Sequence, residues 1–338
     1  MRYALLVSPS TNRVYAQAAT ALGRAELSAV GERVLGGAIS DLREQILGSV
    51  SYLTFDAPEP SPGSPLIAWL SNLAATFALF GLDQGKLTPL DLTSWDVCSS
   101  DLITIQKYPG KTNEAFTKLL FNVTLAASAF AHEPRRPLAV LDPLCGRGTT
   151  LNQALMYGHH ATGVEHDKKD FEAYCLFIQR WVKDQRLKHQ ATLGHVKGHP
   201  KLDLSLGLDK ERYKAGDVLR ITYVNADTLA IAEVFQPRTF DLIVTDAPYG
   251  VQHGAKNDGA ISRKPLELLA AALPVWRAAL RSGGAIGIAW NNLVARRSDL
   301  GDLLTAHDLD VCDSPAYRSF EHRVDSSIQR DLIVARAR

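Results

Sequence analysis

The feature that most constrains the fold is an apolar run followed by two closely spaced glycines and a helical pattern. Residues 138–141 are apolar, which is typical of a strand buried on both faces, as in a parallel sheet. Gly146 and Gly148 allow the backbone to turn sharply and to approach a ligand closely. From Thr149 onward apolar side chains recur at helical spacing, so the free N–H groups of that helix would face the turn. Such a turn favours a polar or anionic ligand.

The glycine pattern alone leaves an ordinary strand-to-helix turn equally open. It is neither the dinucleotide pattern G-x-G-x-x-G nor a P-loop, which ends in Gly-Lys-Ser/Thr. Thr149 and Thr150 could also act simply as an N-cap. The elements that follow are needed to decide between the two interpretations.

Two further strands are predicted to end in carboxylates. Residues 160–165 form the pattern of a strand that ends at Glu165, where α/β folds bind ribose hydroxyls. Residues 220–224 predict another strand, which continues into Asn225, Ala226 and Asp227. Asp227 could accept a hydrogen bond from an adenine amino group. Either acid alone would be interpreted as a solvated loop residue, but together and in this order they favour a ligand site.

A second motif follows about a hundred residues after the first. Residues 241–246 predict another buried strand, which ends in Asp246, Ala247, Pro248 and Tyr249. Because the carboxyl ends of parallel strands lie at one edge of a sheet, both motifs are expected at the same edge. The alternative is a plain type I or II turn with proline at its second position.

These motifs resemble those of S-adenosylmethionine-dependent amino-methyltransferases. The similar segments are Asp142-x-x-x-Gly146-x-Gly148-Thr149, Glu165, Asn225-Ala226-Asp227 and Asp246-Ala247-Pro248-Tyr249. Within that superfamily the chain is most similar to tRNA guanine-N2 methyltransferases with an N-terminal ferredoxin-like and THUMP module. The resemblance covers residues 106–338 most fully. At the N-terminus it extends to residues 3–9 and 22–27.

The resemblance implies the fold, the cofactor and the residues that contact it. The fold is α/β, with a Rossmann-like class I methyltransferase sheet in residues 106–338. Residues 1–105 are expected to form a small α+β domain, for which a ferredoxin-like, RNA-binding role stays open. The cofactor is S-adenosylmethionine, and residues 107–116 help to hold its methionine end. The implied cofactor contacts are Thr112, Asn113, Asp142, Cys145, Gly146, Gly148, Thr149, Glu165, Asp227 and Asp246.

The resemblance also implies the chemistry of the second motif. An exocyclic amino group on a base is a poor nucleophile because its lone pair is delocalised into the ring. Asp246 and the backbone carbonyl of Ala247 would accept its two N–H bonds and direct the lone pair at the methyl carbon. Pro248 stiffens the loop, and Tyr249 offers a ring on which a flipped base can stack. The related loops usually read Asp-Pro-Pro-Tyr, so Ala247 removes some rigidity but no acceptor.

Composition and charge are consistent with a soluble cytoplasmic enzyme. The 338 residues are 46% hydrophobic, without an apolar run of about 20 residues that could span a membrane. The net charge of +1 is not that of a strongly basic nucleic-acid binder. The charge is uneven, because residues 106–222 carry 18 Lys/Arg against 12 Asp/Glu, whereas residues 1–105 carry 6 against 10. The basic excess could follow a phosphate backbone, although solvated helix faces explain any single cluster equally well.

The remaining patterns predict secondary structure and an insertion. A helix is expected over residues 65–80, a domain boundary at 99–101 and a further helix over 113–130. Residues 189–216 exceed a normal connection and are interpreted as a solvent-exposed insertion. The sequence favours no metal site there, although the insertion contains His195, Lys197, His199 and Lys201. Later strands are expected at residues 283–290, 311–312 and 331–335, the last one antiparallel.

Three functions therefore stay open at this point. The favoured one is a tRNA guanine-N2 methyltransferase, with RNA as the partner, no membrane association and a monomeric chain. The second is an amino-methyltransferase that acts on rRNA, DNA or a small-molecule amine, which the short N-terminal domain and the near-neutral charge favour. The third is an RNA-binding protein that has the methyltransferase fold but no turnover, and Ala247 is the only sequence feature that supports it.

Overall fold

The computed structural model describes residues 1–10, 12–60, 64–248 and 265–338. The described residues form two sheets, one of five strands in the N-terminal part and one of ten strands in the rest of the chain. The expected α/β fold class with an additional small α+β unit is confirmed.

The N-terminal unit has the strand order of a ferredoxin-like split β-α-β arrangement with one added strand. Its elements are β1 (Arg2–Val7), α1 (Arg13–Arg33), β2 (Ser40–Leu47), β3 (Val50–Asp56), α2 (Pro65–Asn72), β4 (Thr76–Asp83) and β5 (Lys86–Leu90). The strands lie in the order β2-β3-β1-β4-β5, and each neighbouring pair is antiparallel. Asn12 caps α1 by accepting hydrogen bonds from the backbone N–H groups of Val14 and Tyr15.

The helix expected over residues 65–80 is wrong in its second half. α2 ends at Asn72, and Leu73 has the extended ψ of 145°, after which the chain forms β4. Along β4, Leu79 lies opposite Leu5 of β1 and is buried with it in the core. Pairing with a central strand buries this apolar, β-prone segment better than a continued helix would.

The larger sheet occupies the rest of the chain. Its strands are β6 (Ala139–Asp142), β7 (His160–Glu165), β8 (Lys188–Val196), β9 (His199–Gly207), β10 (Leu219–Asn225), β11 (Phe240–Asp246), β12 (Leu280–Asn291), β13 (Leu309–Val311), β14 (His322–Arg323) and β15 (Gln329–Ala337). Its helices are α3 (Asp101–Thr104), α4 (Glu114–Ala127), α5 (Thr149–Met156), α6 (Lys168–Asp184), α7 (Lys210–Lys214), α8 (Ile231–Val234), α9 (Pro265–Ala279) and α10 (Arg297–Ala306), with a short 3-10 turn at Thr228–Ala230.

The order of these strands places a ligand crevice at β6. The sheet runs β13-β15-β12-β11-β6-β7-β10-β9-β8, and its central strands from β12 to β10 are parallel. The chain proceeds from β6 to β7 and β10 on one side, then returns to β11 and β12 on the other. Open α/β sheets bind ligands at such a reversal, outside the carboxyl ends of the strands.

The strands and helices expected around the motifs are confirmed, with small shifts at their ends. β7 matches the expected residues 160–165, and β10 extends the expected strand by one residue at each end. β15 is antiparallel to β12, as expected for the closing strand. The predicted helix over residues 113–130 is α4, and Asn113 is its N-cap.

The expected solvent-exposed insertion at residues 189–216 is mostly part of the sheet. β8 and β9 form an antiparallel hairpin, and β9 pairs with β10. Alternate residues of β9, including Leu202, Leu204 and Leu206, are buried in the core, which the histidines and lysines of this segment obscured. The short helix α7 then leads into β10.

The two units share one apolar core. A single cluster of buried side chains contains Leu27 of α1, Leu53 of β3 and Phe121 of α4. The domain boundary expected at residue 105 therefore stays a prediction, because the shared core does not mark a boundary between the two units.

A buried polar network also joins the two units. Glu26 of α1 is fully buried and accepts hydrogen bonds from Asn122 Nδ2 of α4 at 2.7 Å and from the Ala74 backbone N–H at 2.9 Å. Asn122 Nδ2 also donates to the Asn72 carbonyl, and Tyr157 donates to Asn122 Oδ1 at 3.0 Å. Burial raises the pKa of Glu26 to about 7. Ionisation of this carboxyl therefore opposes folding.

We predict that Glu26→Gln makes the melting temperature less dependent on pH. The raised pKa means that the contribution of Glu26 to stability is fully present below its ordinary pKa near 4.5 and is lost as the pH rises through about 7. The variant should melt above the wild type at pH 8 and lose that advantage at pH 5, as measured by calorimetry. Glu32→Gln, an exposed acid on the same helix, is the control. A difference between wild type and Glu26→Gln that does not vary with pH would contradict this account.

Candidate active site

A cavity of about 260 Å³ opens at the carboxyl ends of β6 and β11. The sequence-predicted residues that line it are Thr112, Asp142, Cys145, Gly146, Thr149, Asp246, Ala247 and Pro248. The structure thus brings together the glycine turn, the segment of residues 107–116 and the Asp246 loop. The predicted residues Asn113, Gly148, Glu165 and Asp227 do not line this cavity, and Tyr249 lies outside the described residues.

The glycine turn has the backbone conformation that the sequence pattern predicts. Gly146 and Gly148 have φ values of 50° and 77°, in the left-handed region that favours glycine. A Cβ at Gly148 would lie 2.4 Å from the ring of Tyr174, so no larger residue fits there. Gly148 is the N-cap of α5 and offers no side-chain hydrogen bond to its first turn, so the N-cap suggested for Thr149 and Thr150 is wrong. That first turn keeps backbone donors available at the cavity.

Asp142 ties the end of β6 to β11. It is buried and accepts hydrogen bonds from Thr245 Oγ1 at 2.8 Å and from the Leu144 backbone N–H at 3.1 Å. Burial raises the pKa of Asp142 to about 7 against the opposing effect of these hydrogen bonds. This side chain therefore positions the glycine turn relative to the strand that carries Asp246.

Glu165 holds the turn from the other side. Its Oε2 accepts a hydrogen bond from the Gly146 backbone N–H at 2.8 Å, and its Oε1 accepts one from the Asp167 N–H at 2.6 Å. Burial raises the pKa of this carboxyl. Asn225 of β10 donates to the backbone carbonyls of Glu165 and His166, which joins the ends of β7 and β10.

Two of the remaining predicted residues cap local structure. Asp227 is exposed and accepts a hydrogen bond from the Leu229 N–H as the N-cap of the 3-10 turn. Asn113 Oδ1 accepts one from the Phe116 N–H at the start of α4.

Cys145 is buried, and its thiol donates to the Val164 carbonyl at 3.3 Å. Burial raises the pKa of this thiol well above its ordinary value.

Asp246 is held by donors from two distant parts of the chain. Thr112 Oγ1 donates to Asp246 Oδ2 at 2.7 Å, and Arg330 Nη2 of β15 lies 3.4 Å from the same oxygen. Arg330 is only 4% exposed, and its guanidinium lies 4.5 Å from the ring centre of Phe116. This cation–π contact and the ion pair keep the guanidinium beside the carboxylate.

The loop after Asp246 is anchored by its backbone. The Ala247 N–H donates to the Ala289 carbonyl of β12 at 2.8 Å, and the Ala247 side chain is buried. Pro248 follows at the exposed rim and restricts the conformation of the residue before it. The peptide after Ala247 is therefore well restrained without the first proline of the related loops.

Sequence reasoning missed three residues of this site, Arg147, Asp170 and Arg330, and named Tyr108 only as part of residues 107–116. Tyr108 OH lies 3.2 Å from Thr149 Oγ1, and Arg147 Nε donates to Asp170 Oδ1 at 2.7 Å. The Arg147 guanidinium also lies 4.8 Å from the centre of the Tyr108 ring. The only sequence signal for Arg330 is a cation at the start of an apolar closing strand. Burial raises the pKa of Tyr108.

These residues fit S-adenosylmethionine. A Cβ at Gly146 would meet no atom within 4 Å, so the turn borders open space in which a ligand can approach its backbone. Backbone N–H groups, hydroxyls and carboxylates surround that space, as a polar, partly charged nucleoside requires. No group of three His, Cys, Asp or Glu residues in the described part of the chain is arranged to hold a metal ion.

A glycine turn at the reversal point of a mostly parallel sheet, with a carboxylate at the tip of the next strand, defines a class I methyltransferase fold. Residues 122–274 match the UPF0020 family, described as an RMKL-like methyltransferase domain. This part of the chain is therefore similar to a methyltransferase domain. The match spans a little under half of the 338 residues. None of the curated protein sequences matches the chain significantly.

Three solved structures illustrate a distant similarity. TrmN from Thermus thermophilus has 14% identity and a TM-score of 0.40, over 88% of this chain and 59% of that one. TehB from Haemophilus influenzae has 13% identity and a TM-score of 0.34, over 60% of this chain and 58% of that one. The magnesium protoporphyrin IX methyltransferase ChlM from Synechocystis PCC 6803 has 11% identity and a TM-score of 0.40, over 68% of this chain and 87% of that one. This chain thus spans less than two thirds of TrmN and of TehB.

No helix in the described ranges is both long enough and apolar enough to cross a membrane.

We predict that Thr112→Val slows methyl transfer without a comparable loss of cofactor binding. The substitution removes the hydroxyl that donates to Asp246 Oδ2 but keeps the shape of the side chain. An Asp246 carboxylate that is less well oriented should lower kcat about tenfold, an effect of the size expected for lost positioning. Single-turnover kinetics and calorimetric binding of S-adenosylmethionine would measure both quantities. Thr112→Ser should restore the rate, and failure of that rescue would argue against the orienting role.

Proposed function

We propose that the protein transfers a methyl group from S-adenosylmethionine to an exocyclic amino nitrogen of an RNA base, with guanine N2 in tRNA as the favoured target. The observation that carries this proposal is the position of Asp246. It lines the same cavity as the glycine turn, and Thr112 and Arg330 orient its carboxylate. A fixed acceptor next to a methyl-donor site suits an amino group better than a nucleophile that needs a strong base.

The residues of the loop would orient the amino group. Asp246 accepts one N–H of the substrate, and the carbonyl of Ala247 accepts the other. The hydrogen bond from the Ala247 N–H to Ala289 holds the peptide before Ala247 in place, and Pro248 restricts the backbone of Ala247, whose carbonyl is the second acceptor. Two acceptors set the direction of the nitrogen lone pair, so catalysis consists mostly of positioning. Tyr249 would supply the stacking surface for the base.

Other residues would hold the cofactor. When bound, S-adenosylmethionine supplies an electrophilic methyl group on a sulfonium. Thr112 and Asn113 would lie near its methionine end. The N–H groups of Gly146 and Gly148 already donate to Glu165 and to the Cys145 carbonyl, so these glycines would let the cofactor approach the turn, and the first turn of α5 at Thr149 would supply the backbone donors. Glu165 already accepts two backbone hydrogen bonds, and its remaining lone pairs can accept the ribose hydroxyls. Asp227 would accept the adenine amino group. Asp142 and Cys145 would contribute to cofactor binding indirectly, because their hydrogen bonds hold the glycine turn in its shape.

The charge distribution supports RNA as the substrate class. Residues 106–222 carry 18 Lys/Arg against 12 Asp/Glu, and this region contains the glycine turn, β6, β7 and the first half of β10. An excess of cations on the catalytic unit favours a polyanion. The acidic balance of residues 1–105 instead favours a second candidate, an amino-methyltransferase with a small-molecule amine as substrate.

The experiment that tests the proposal is methyl transfer from radiolabelled S-adenosylmethionine into separate pools of tRNA, rRNA, DNA and metabolites, followed by nucleoside analysis. We expect label in tRNA as N2-methylguanosine. Label in another pool would retain the amino-transfer chemistry and reject the substrate. Binding of RNA without transfer to any pool would favour a protein that has the fold but no turnover.

We predict that Asp246→Ala abolishes transfer and leaves cofactor affinity nearly unchanged. The variant removes the acceptor for the substrate amino group but leaves the glycine turn and Glu165 intact. Transfer assays and calorimetry on the same preparation would separate the two effects. Asp246→Asn keeps the size of the side chain and should also be inactive. Equal loss of transfer and of cofactor binding would reject the assignment.

We predict that Glu165→Ala weakens S-adenosylmethionine binding by about 1–3 kcal/mol, the usual effect of removing a hydrogen-bond acceptor from a partly buried site. The turn loses its acceptor for the Gly146 N–H at the same time, which acts in the same direction. Calorimetric titration measures the affinity, and the melting temperature without cofactor shows whether the fold survives. An unchanged affinity would exclude the ribose role.

A further inference from the structure

The hairpin between β8 and β9 ends in a basic tip that the cofactor site does not use. This hairpin tip, residues 195–201, contains His195, Lys197, His199 and Lys201 and no acidic residue. Lys197 and His195 are exposed. Lys201 forms an ion pair with Asp203 at 2.6 Å. Lys197 lies at the very end of the turn, between the paired residues Val196 and His199.

The register of the sheet places the hairpin tip at the edge of the cofactor site. β9 is antiparallel to β10, with Lys201 opposite Val224 and Leu206 opposite Leu219. The turn therefore extends beyond the carboxyl end of β10, next to Asn225. Asn225 in turn hydrogen-bonds to the end of β7, where Glu165 lies. The opposite end of the hairpin, with Lys188 opposite Gly207, lies at the far edge of the sheet.

The hairpin tip is anchored to the body of the protein. Lys197 and Gly198 have φ values of 50° and 85°, which make a tight two-residue turn with the twist of the flanking strands. Val196 packs against the apolar cluster that contains Val224 and Ile231. The charged groups are thus presented from a defined position.

The spacing of the strands determines what the hairpin tip can reach. β9 is four strands from β11, which at ~4.8 Å per strand is about 19 Å. A side chain on the tip cannot contact a base held at Asp246. It can contact the backbone of an RNA strand a few nucleotides away from that base.

We propose that the hairpin tip binds the phosphate backbone of the RNA substrate, on the side of the cofactor site away from the target base. This inference rests on the proposed function, because it takes RNA as the substrate. Lys197 supplies the main charge, and His195 and His199 supply hydrogen-bond donors on either side of it. Contacts of this kind increase affinity for any RNA sequence and fix the register of the strand on the protein.

The test compares Lys197→Glu with Lys188→Glu, an exposed lysine on the same hairpin at the far edge of the sheet. The dissociation constant for bulk tRNA is measured at several salt concentrations, together with kcat, KM and S-adenosylmethionine affinity. Lys197→Glu should weaken tRNA binding and raise KM about threefold or more, the effect of one exposed charged contact. It should also lower the salt slope by about 1 and leave kcat and cofactor affinity unchanged. Lys188→Glu should behave as the wild type.

The outcomes separate the two proposals. If the wild type methylates tRNA and Lys197→Glu still binds tRNA normally, the role of the hairpin tip is overturned and the proposed function stands. Equal losses of tRNA binding in Lys197→Glu and Lys188→Glu would have the same meaning. A wild-type protein that neither binds nor methylates RNA overturns the proposed function and the hairpin inference together. Equal melting temperatures of the two variants show that neither result comes from misfolding.

Discussion

The site depends on two carboxylates that hydrogen-bond to the backbone and side chains around β6. Glu165 accepts the N–H of Gly146, and Asp142 accepts the hydroxyl of Thr245. The first interaction holds the glycine turn to β7, and the second holds the same turn to β11. Because both pairs are largely withdrawn from water, their geometry is strongly constrained. The positions of the cofactor turn and of the Asp246 loop are therefore linked through β6 and are not set by each loop alone.

Asp246 shows how segments from opposite ends of the catalytic unit meet at one atom. The donor Thr112 lies 134 residues earlier in the chain, and Arg330 lies 84 residues later. Arg330 is held over Phe116 of α4, so the antiparallel closing strand is joined to the segment before the first strand. A charge placed this way has little freedom to reorganise when a substrate binds. Preorganisation of this kind is a general source of catalytic power.

The sequence predicted the parts of the fold that local patterns determine. The glycine turn, β7, β10 and the antiparallel β15 follow from turn residues and from buried apolar runs. β4 was mistaken for helix because its role is set by pairing with β1, which no local pattern contains. The hairpin of β8 and β9 was missed because its histidines and lysines obscured the alternation of buried leucines along β9. Arg147, Asp170 and Arg330 were missed because their partners are distant in sequence, and Tyr249, beyond the described residues, stays a prediction.

The common core of the two units has a consequence for how a large substrate is recognised. Helices α1 and α4 bury apolar surface together, and Glu26, Asn122 and Tyr157 form hydrogen bonds within that contact. The N-terminal sheet is therefore ordered against the catalytic unit before any ligand arrives. Binding then loses no entropy of domain docking, which commonly weakens recognition by proteins with jointed modules. A substrate must therefore fit a surface that is already formed, so the protein would discriminate among substrates by their shape.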